Sequence, residues 1–375
     1  MIIKFGGLAL PKPTETADSH YTNSTTCSGY LAQCLRDQSQ DFSLVRHETE
    51  ASAARDHHRE TNAKRHSLRF LEILHRIGIT DKVRAETIKR CVSSGSWIHV
   101  LPFDALGNQI TRSEWSVGLA LRYHLDIKDL PTLCHGCGCT NSRNHAFACH
   151  TGGLLSHAHD DIARELILIL RRVAQKTHVR PEPVIHPSHM PTDPLYDPTK
   201  KPVVTPLAGL ADGSDDDEDP ENRKRGDIAC KHLFDQGTTA ILDVRCVHLN
   251  SKSNKLKDPE KVLKSHEMEK RRKYAAECWE ERMHFAPFVV SRCGVFGKEA
   301  TNILRLIAKT LEVKWDLPYS RTAFFVKSRM SIAILRSTTQ ILYGERKPMK
   351  VVHGQPAFFH DNSALLGYWS TSRWS

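Results

Sequence analysis

A cysteine- and histidine-rich run of sixteen residues, CHGCGCTNSRNHAFAC, constrains this chain more than any other stretch. The spacing Cys134-x2-Cys137-x7-His145-x3-Cys149 sets two close pairs of ligands on either side of a short loop, in a segment bounded by glycine and proline. Tetrahedral zinc takes four N or S ligands brought together by tight turns, and this spacing provides them. Cys139, His135 and His150 are possible substitute ligands, and reduced structural cysteines are the alternative. A filled four-ligand site has no open position for water, so the expected role is structural: the knuckle fixes the helix that starts near Ser156.

The remainder is unevenly foldable. Only 39% of the 375 residues are hydrophobic, which predicts folded blocks joined by segments that do not pack. Lys and Arg outnumber Asp and Glu by 53 to 43, a balance that suits a polyanionic partner or simply a basic surface. The start MIIKFGGLALPKP has neither a basic opening nor a sustained apolar run. The expectation is therefore an intracellular chain whose eleven cysteines stay reduced. No run of 18 apolar residues occurs, so no membrane helix is expected.

Along the chain, residues 1–65 are rich in Thr, Ser, His and charge and read as loop followed by weak helix. Residues 66–133 read as helical, with HSLRFLEILHRIGI, TDKVRAETIKRC and ITRSEWSVGLALRYHL at helical spacing and SWIHVLPF as a short strand or extended turn. The knuckle occupies 134–153. LLSHAHDDIARELILILRRVAQK then makes a helix with Leu155, Ile162, Leu166, Ile169 and Val173 on one stripe, and PEPVIH a short strand. Residues 187–225, with many prolines and the acidic run GSDDDEDPE, read as a disordered insertion. A hairpin, a charged helix from about Pro259 and the apolar strand FAPFVVSRCGVFG come next, so that 154–186 and 226–298 form one core. Residues 299–348 hold two amphipathic helices, and 349–375 is a tail without pattern. Helices flanking few strands predict an α/β, mixed α+β, class with a small sheet.

The hairpin GDIACKHLFDQGTTAILDVR carries the second constellation. Asp235-Gln236-Gly237 suits a three-residue loop with glycine in the left-handed region. Centred on Gln236, that loop pairs Ile228 with Val244 and Cys230 with Leu242 on an apolar face, and Asp227 with Arg245, Ala229 with Asp243 and Lys231 with Ile241 on the other. Two carboxylates on one face at diagonal positions lie about 7–8 Å apart and can share a divalent cation, or they decorate a solvated face. Such a cation holds a scissile phosphate and lowers the pKa of a water, and a neighbouring Lys or Arg stabilises the transition state. Glu182 and Glu165 are candidate further acids; their alternatives are an edge-strand charge and a helix salt-bridge partner.

These residues together resemble the C-terminal part of a non-LTR retrotransposon reverse transcriptase polyprotein of the restriction-like endonuclease class. FGGLALPKPTETADSHYTNSTTCSGYL resembles the segment after the polymerase core, and GSWIHVLPFDALGNQITRSEWSVGLALRYHLDIKDLPTLC the approach to the cysteine motif. CHGCGCTNSRNHAFACHTGG with HAHDDIARELI resembles the Cys-Cys-His-Cys motif and the helix after it. RGDIACKHLFDQGTTAILDVR is similar to the family's paired acids, and EKRRKYAAECW to its downstream Lys/Tyr motif. The resemblance implies zinc ligation by Cys134, Cys137, His145 and Cys149, catalytic acids Asp227 and Asp243 holding Mg or Mn, and Lys270 and Tyr274 completing the site. It implies a PD-(D/E)xK-like sheet and places residues 1–65 directly after a polymerase core.

Four departures stand against that pattern. Arg245 occupies the expected lysine position, and a guanidinium binds phosphate but accepts no proton; Lys231 or Lys270 would have to substitute. Gly226 stands where the family has proline. The aspartates are separated by fifteen residues rather than a dozen or so. No polymerase signature of the YxDD kind is present, so DNA synthesis is not expected. The implied function is nucleic-acid binding with Mg-dependent DNA nicking, in the nucleus if the protein is functional. The alternative is an inactive zinc-containing remnant that binds DNA or element RNA through the basic residues Arg271, Arg272 and Lys273. No membrane partner is implied.

Overall fold

The N-terminal quarter departs furthest from expectation. In a computed structural model, which describes residues 7–8, 13–100, 107–185 and 225–344, α1 (Pro13–Arg36) and α2 (Leu44–Thr80) are long helices. They pack antiparallel, Glu15 of α1 pairing with Arg69 and Ser19 lying against His58. α2 runs through residue 65 without a break. Its part from residue 66 onward is the helix that HSLRFLEILHRIGI predicts, but residues 44–65 have no apolar stripe to announce them, and only Ala51 and Phe70 of the whole helix are buried. Instead Ser43 caps it, its Oγ accepting from Arg46 N at 3.3 Å, and the pairs Arg46–Glu50, Arg59–Asp56 and Lys64–Glu60 lie one turn apart along its surface. Each such pair supports a helix by roughly 0.2–0.5 kcal/mol, enough collectively to hold one that is polar all round.

α3 (Lys82–Lys89) starts at Asp81, whose carboxylate accepts from Arg84 N at 2.8 Å. The SWIH segment is a 3-10 turn rather than a strand, because Gly95 enters it in the left-handed region (φ 84°); residues 101–106 lie outside the described chain. α4 (Arg112–Tyr123) opens on a full capping box between Thr111 and Glu114. After the short α5 (Arg143–Ala146) comes α6 (Leu154–Val173), with Ile162, Leu166, Ile169 and Leu170 buried to 1% exposure or less. The buried stripe begins at Leu154; Leu155 and Val173 of the expected stripe are only half-buried.

Four strands form one mixed sheet, β1 (Val179–Pro181), β2 (Ile228–Lys231), β3 (Thr239–Val247) and β4 (Met283–Ser291), in that spatial order. The first three are antiparallel, and β4 runs parallel to β3. A parallel neighbour needs a crossover, here α7 (Pro259–Glu280), capped by Asp258 with proline in its first turn. PEPVIH contributes Pro181, the last residue of β1, and a single bridge, Val184 to Arg225; the rest of the strand lies before it.

Both faces of the sheet are covered. On one, Ile228, Cys230, Leu242, Val244 and Phe288 pack with α6 and with α8 (Lys298–Trp315) and α9 (Tyr319–Tyr343), through Ile303, Ile307, Leu311, Val326 and Met330. On the other, α7 lays Tyr274 and Cys278 on Ala229, Ile241 and Phe285. Truncating one fully buried Leu or Ile of this core to Ala costs about 2–5 kcal/mol. No helix among the described residues is long and apolar enough to cross a membrane. The Pro/acidic segment 187–224 and the tail 349–375 lie outside the described residues.

The hairpin register differs from the expected one by two residues: Ile228 pairs with Leu242, Ala229 with Ile241, Cys230 with Ala240 and Lys231 with Thr239. The loop is longer than Asp-Gln-Gly. It spans His232 to Thr238, closed by His232 N donating to Thr238 O at 2.8 Å, while Leu233 turns into the main core at 7% exposure. A shift by an even number keeps every side chain on its expected face. Its consequence is local: one step beyond Ile228, the register sets Asp227 opposite Asp243 rather than opposite Arg245.

Candidate functional site

The cysteine segment folds as two tight turns meeting at one point. Cys134 N donates to Cys139 O and Gly138 N to Cys134 O, both at 2.8 Å, and Gly138 takes the positive φ (73°) that the turn requires. On the other side Ser142 caps α5, its Oγ accepting from His145 N at 3.1 Å, and Cys149 N donates to His145 O at 2.8 Å. The ligand atoms of Cys134, Cys137, His145 and Cys149 all lie within 4.8 Å of one another. Cys134 Sγ and Cys137 Sγ are each 3.8 Å from Cys149 Sγ, and Cys137 Sγ is 3.3 Å from His145 Nε2. A tetrahedral ion with Zn–S bonds of about 2.3 Å requires S···S edges of about 3.8 Å. The residues therefore fit zinc.

The electrostatics within the cluster are opposed: burial and the neighbouring thiols of Cys134 and Cys137 push the Cys149 thiol up, whereas Cys134 is drawn down. Against the burial that would raise it, the backbone N–H groups of Cys137 and Gly136 and the ring of His145 bring the Cys134 thiol down to about 6. Cys139 is exposed and directed at the Cys137 carbonyl, outside the cluster. Ala146 and Phe147 of the knuckle enter a core with Leu154 and Ala158 of α6 and Ile341 and Leu342 of α9, which ties the site to the start of α6.

The aspartates lie about the sheet, at the mouth of the hairpin. Asp227 is fixed from three sides: its N donates to Leu242 O at 3.1 Å, its O accepts from Glu182 N at 2.9 Å, and its Oδ2 accepts from Val244 N at 2.5 Å. Gly226 just before it is buried, and a Cβ there would run into Ile241 Cγ2. Gly226 N also donates to Pro183 O at 3.0 Å. Proline can satisfy neither demand, so glycine at this position has a steric cause. Asp243 is buried at 4% side-chain exposure, and Lys270 of α7 sets Nζ 2.8 Å from its Oδ2. Burial raises the Asp243 carboxyl, Asp227 adds to the rise, and Lys270 and His159 oppose it.

The other expected residues are distributed unevenly. Tyr274 is buried beneath Lys270 and Lys273, whose Nζ atoms lie 5.5 and 4.9 Å from its ring centroid. Arg245, half-buried, comes next on the Asp243 face of β3 and is close enough to Lys273 to act on it electrostatically. Lys231 sits exposed at the far end of β2, four residues or about 13 Å of strand from Asp227. Lys270, not Lys231, reaches Asp243. Glu182 contributes its backbone N–H to Asp227 from a left-handed conformation (φ 45°) while its side chain is exposed. Glu165 is paired with Arg329 through two contacts of 2.6 and 3.0 Å on the α6–α9 seam. Of the basic trio, Arg271 clamps Glu299 of α8 at 2.6 and 2.7 Å, whereas Arg272 and Lys273 are exposed.

One residue at the acids was not anticipated from sequence. His159 of α6 places Nε2 3.1 Å from both Asp227 Oδ2 and Val244 O, and Nδ1 3.1 Å from Asp160 Oδ1. Hydrogen bonding to Asp227 lifts its imidazole to about 9 against the opposing effect of burial, with Asp160 and the Val244 carbonyl contributing. Its position three residues before Ile162 and four before Ala163, both buried, was the available signal. Compared with family models and with curated proteins, the chain matches none.

Proposed function

We propose that this is a retrotransposon-derived nucleic-acid-binding protein carrying a restriction-like endonuclease site that nicks DNA with a divalent cation. The observation that carries the reading is the convergence of Asp227 and Asp243 across the β2–β3 register, with Lys270 Nζ 2.8 Å from Asp243. Two carboxylates and a lysine at one end of a sheet whose buried faces are largely apolar suit the chemistry a PD-(D/E)xK-like nuclease requires, with the lysine supplied by α7 in place of position 245. Structurally idle acids would be solvated at the edge; Asp243 is instead buried at the cost of desolvation.

A bound Mg²⁺ or Mn²⁺ would supply phosphate binding and water activation. The chain's own residues do the rest. Val244 N and Glu182 N hold Asp227 in one orientation. Lys270 opposes the rise that burial gives the Asp243 carboxyl and presents a positive charge where charge develops on the phosphate. Arg245, Arg272 and Lys273, on or beside the same face, suit the flanking phosphates, and the zinc knuckle anchors the start of α6. DNA, element RNA or both are the partners this reading implies, with action in the nucleus.

The test is nicking of supercoiled plasmid by the purified zinc-loaded protein with Mg²⁺ or Mn²⁺, abolished by Asp243→Ala. The second reading, an inactive nucleic-acid-binding remnant, is favoured by one observation: Arg245 cannot accept a proton. It predicts salt-dependent, metal-independent DNA binding without nicking.

A further inference from the structure

A second group of polar and charged side chains lies away from the acids. His248 and Asn250 follow the end of β3, and Arg292 follows the end of β4. His248 is five residues beyond Asp243, about 16 Å of strand. Arg90 comes from the turn after α3, His124 from the end of α4 and Arg143 from α5. The helical block, the knuckle and the sheet thus each contribute.

Hydrogen bonds link four of these residues in a row. Arg90 Nη1 donates to Asn250 Oδ1, Asn250 Nδ2 donates to His124 Nδ1 at 3.4 Å, and Arg143 Nη1 donates to the same nitrogen at 3.0 Å. Burial holds the His248 imidazole down, and Arg143, Arg292 and Arg90 act on it in the same sense. The three guanidinium groups therefore share one neighbourhood.

These positive charges are gathered without a paired counter-charge. Arg90 and Arg292 are buried at 5% and 8% exposure. Among the described residues, Arg90 Nε, Arg143 Nε and Arg292 Nη1 are buried with no hydrogen-bond partner. Glu86 acts on Arg90 and Asp126 on Arg143, but neither forms an ion pair with it. Buried charges of one sign with unmet donors are costly unless a ligand of opposite charge satisfies them. Guanidinium groups suit a tetrahedral oxyanion, phosphate above all, because each offers parallel N–H donors to two of its oxygens. The place is also one where open sheets take ligands, beyond the carboxyl ends of neighbouring parallel strands. His124, Arg143, His248 and Asn250 are only half-buried, which keeps the cluster within reach of solvent.

We propose that Arg90, Arg143 and Arg292, with His124, His248 and Asn250, form a phosphate-binding site separate from the acids. The phosphate belongs to a nucleic-acid backbone or is free phosphate; the chemistry is shared, and the test tells the two sources apart. The inference goes beyond the endonuclease reading and does not depend on it.

The test uses the full zinc-loaded chain, with inorganic phosphate and a single-stranded DNA oligonucleotide as the probes. At fixed pH and ionic strength, phosphate should raise the melting temperature where chloride does not, and should move the ring signals of His124 and His248 in nuclear magnetic resonance. Arg292→Met should weaken phosphate binding about tenfold or more, the loss of one charge-assisted contact. Without phosphate its melting temperature should be unchanged or higher, since like-charge repulsion is relieved. An arginine with a merely structural role gives the reverse, a lower melting temperature and an unchanged response to phosphate. Arg292→Lys, which keeps the charge, should retain part of the binding and serves if the methionine variant folds poorly. An oligonucleotide that moves the same histidine signals and displaces phosphate assigns the site to the nucleic-acid backbone; one that does neither, beside a phosphate that does move them, assigns it to free phosphate. A wild-type chain in which neither probe moves these signals, or an Arg292→Met chain that binds phosphate as tightly as wild type, would overturn the inference and leave the nuclease reading untouched.

Discussion

Lys270 Nζ lies 2.8 Å from Asp243 Oδ2, with the lysine side chain 15% exposed and the aspartate 4%. The pair joins the crossover helix to the strand it crosses from, so one contact serves both the fold and the proposed chemistry. Removing one member of a buried pair leaves an uncompensated charge, at a cost of about 3–5 kcal/mol.

Lys270→Met should therefore lower stability by roughly 3 kcal/mol and abolish nicking, while Lys270→Arg, which keeps the positive charge beside Asp243, should recover most of the stability and, if Lys270 acts by charge alone, part of the nicking. Urea denaturation alongside the plasmid assay separates the two effects. Recovery of stability with no recovery of nicking in the arginine variant would show that the charge of Lys270 beside Asp243 is not its whole role in nicking.

Zinc should bind with one ion per chain and be lost on Cys137→Ser, but not on Cys139→Ser, because Cys139 lies outside the four converging ligands. Structural zinc is folding free energy, so chelation should also loosen the start of α6, where Phe147 and Ala146 pack on Leu154 and Ala158. Elemental analysis gives the stoichiometry, and amide exchange at residues 154–160 reports the loosening.

How much of this was legible in the sequence depends on which force builds each part. The knuckle was readable because ligand spacing is local: Cys134 to Cys149 close on themselves. α6, α8 and α9 were readable because burial imposes a period. The first part of α2, residues 44–65, was not, since it is carried by propensity and one-turn ion pairs such as Arg46–Glu50, whereas HSLRFLEILHRIGI in its later part was read as helix. In the hairpin the faces were right and the register wrong by two, because Leu233 is drawn into the core and lengthens the loop, a tertiary effect that turn chemistry cannot report. His159, Lys270 and the Glu165–Arg329 pair depend on how helices lie on the sheet. Spacing placed Glu165 near the apolar stripe but said nothing of Arg329, 164 residues away.

Gly226→Ala should be costly although the change is a single methyl group. The added Cβ meets Ile241 Cγ2 in a buried strand pair, and overpacking of this kind costs about 1–3 kcal/mol. Gly226→Pro should cost more, since it also removes the N–H that donates to Pro183 O. Because Gly226 precedes Asp227 directly, both variants should reduce nicking further than their loss of stability explains. A Gly226→Pro variant with full stability would show that the approach of Ile241 is not what selects glycine.

His248 provides a pH-dependent prediction away from the acids. It packs edge-on against Phe147 at 4.8 Å between ring centroids, and burial, reinforced by Arg143, Arg292, Arg90 and His124, lowers its imidazole from 6.5 to about 4. With the folded value below the unfolded one, the unfolded chain binds more protons between pH 4 and 6.5, so stability rises with pH across that window and falls on acidification through it. The full difference is on the order of 3 kcal/mol. Zinc ligands protonate on acidification too, so the informative quantity is the difference between proteins: His248→Gln should lose stability less steeply than wild type from pH 6.5 down to 4, and the two curves should run parallel above pH 7. Parallel curves throughout, or a ring that titrates near 6.5 by nuclear magnetic resonance, would show that the charged side chains around His248 do not act on it as their placement implies.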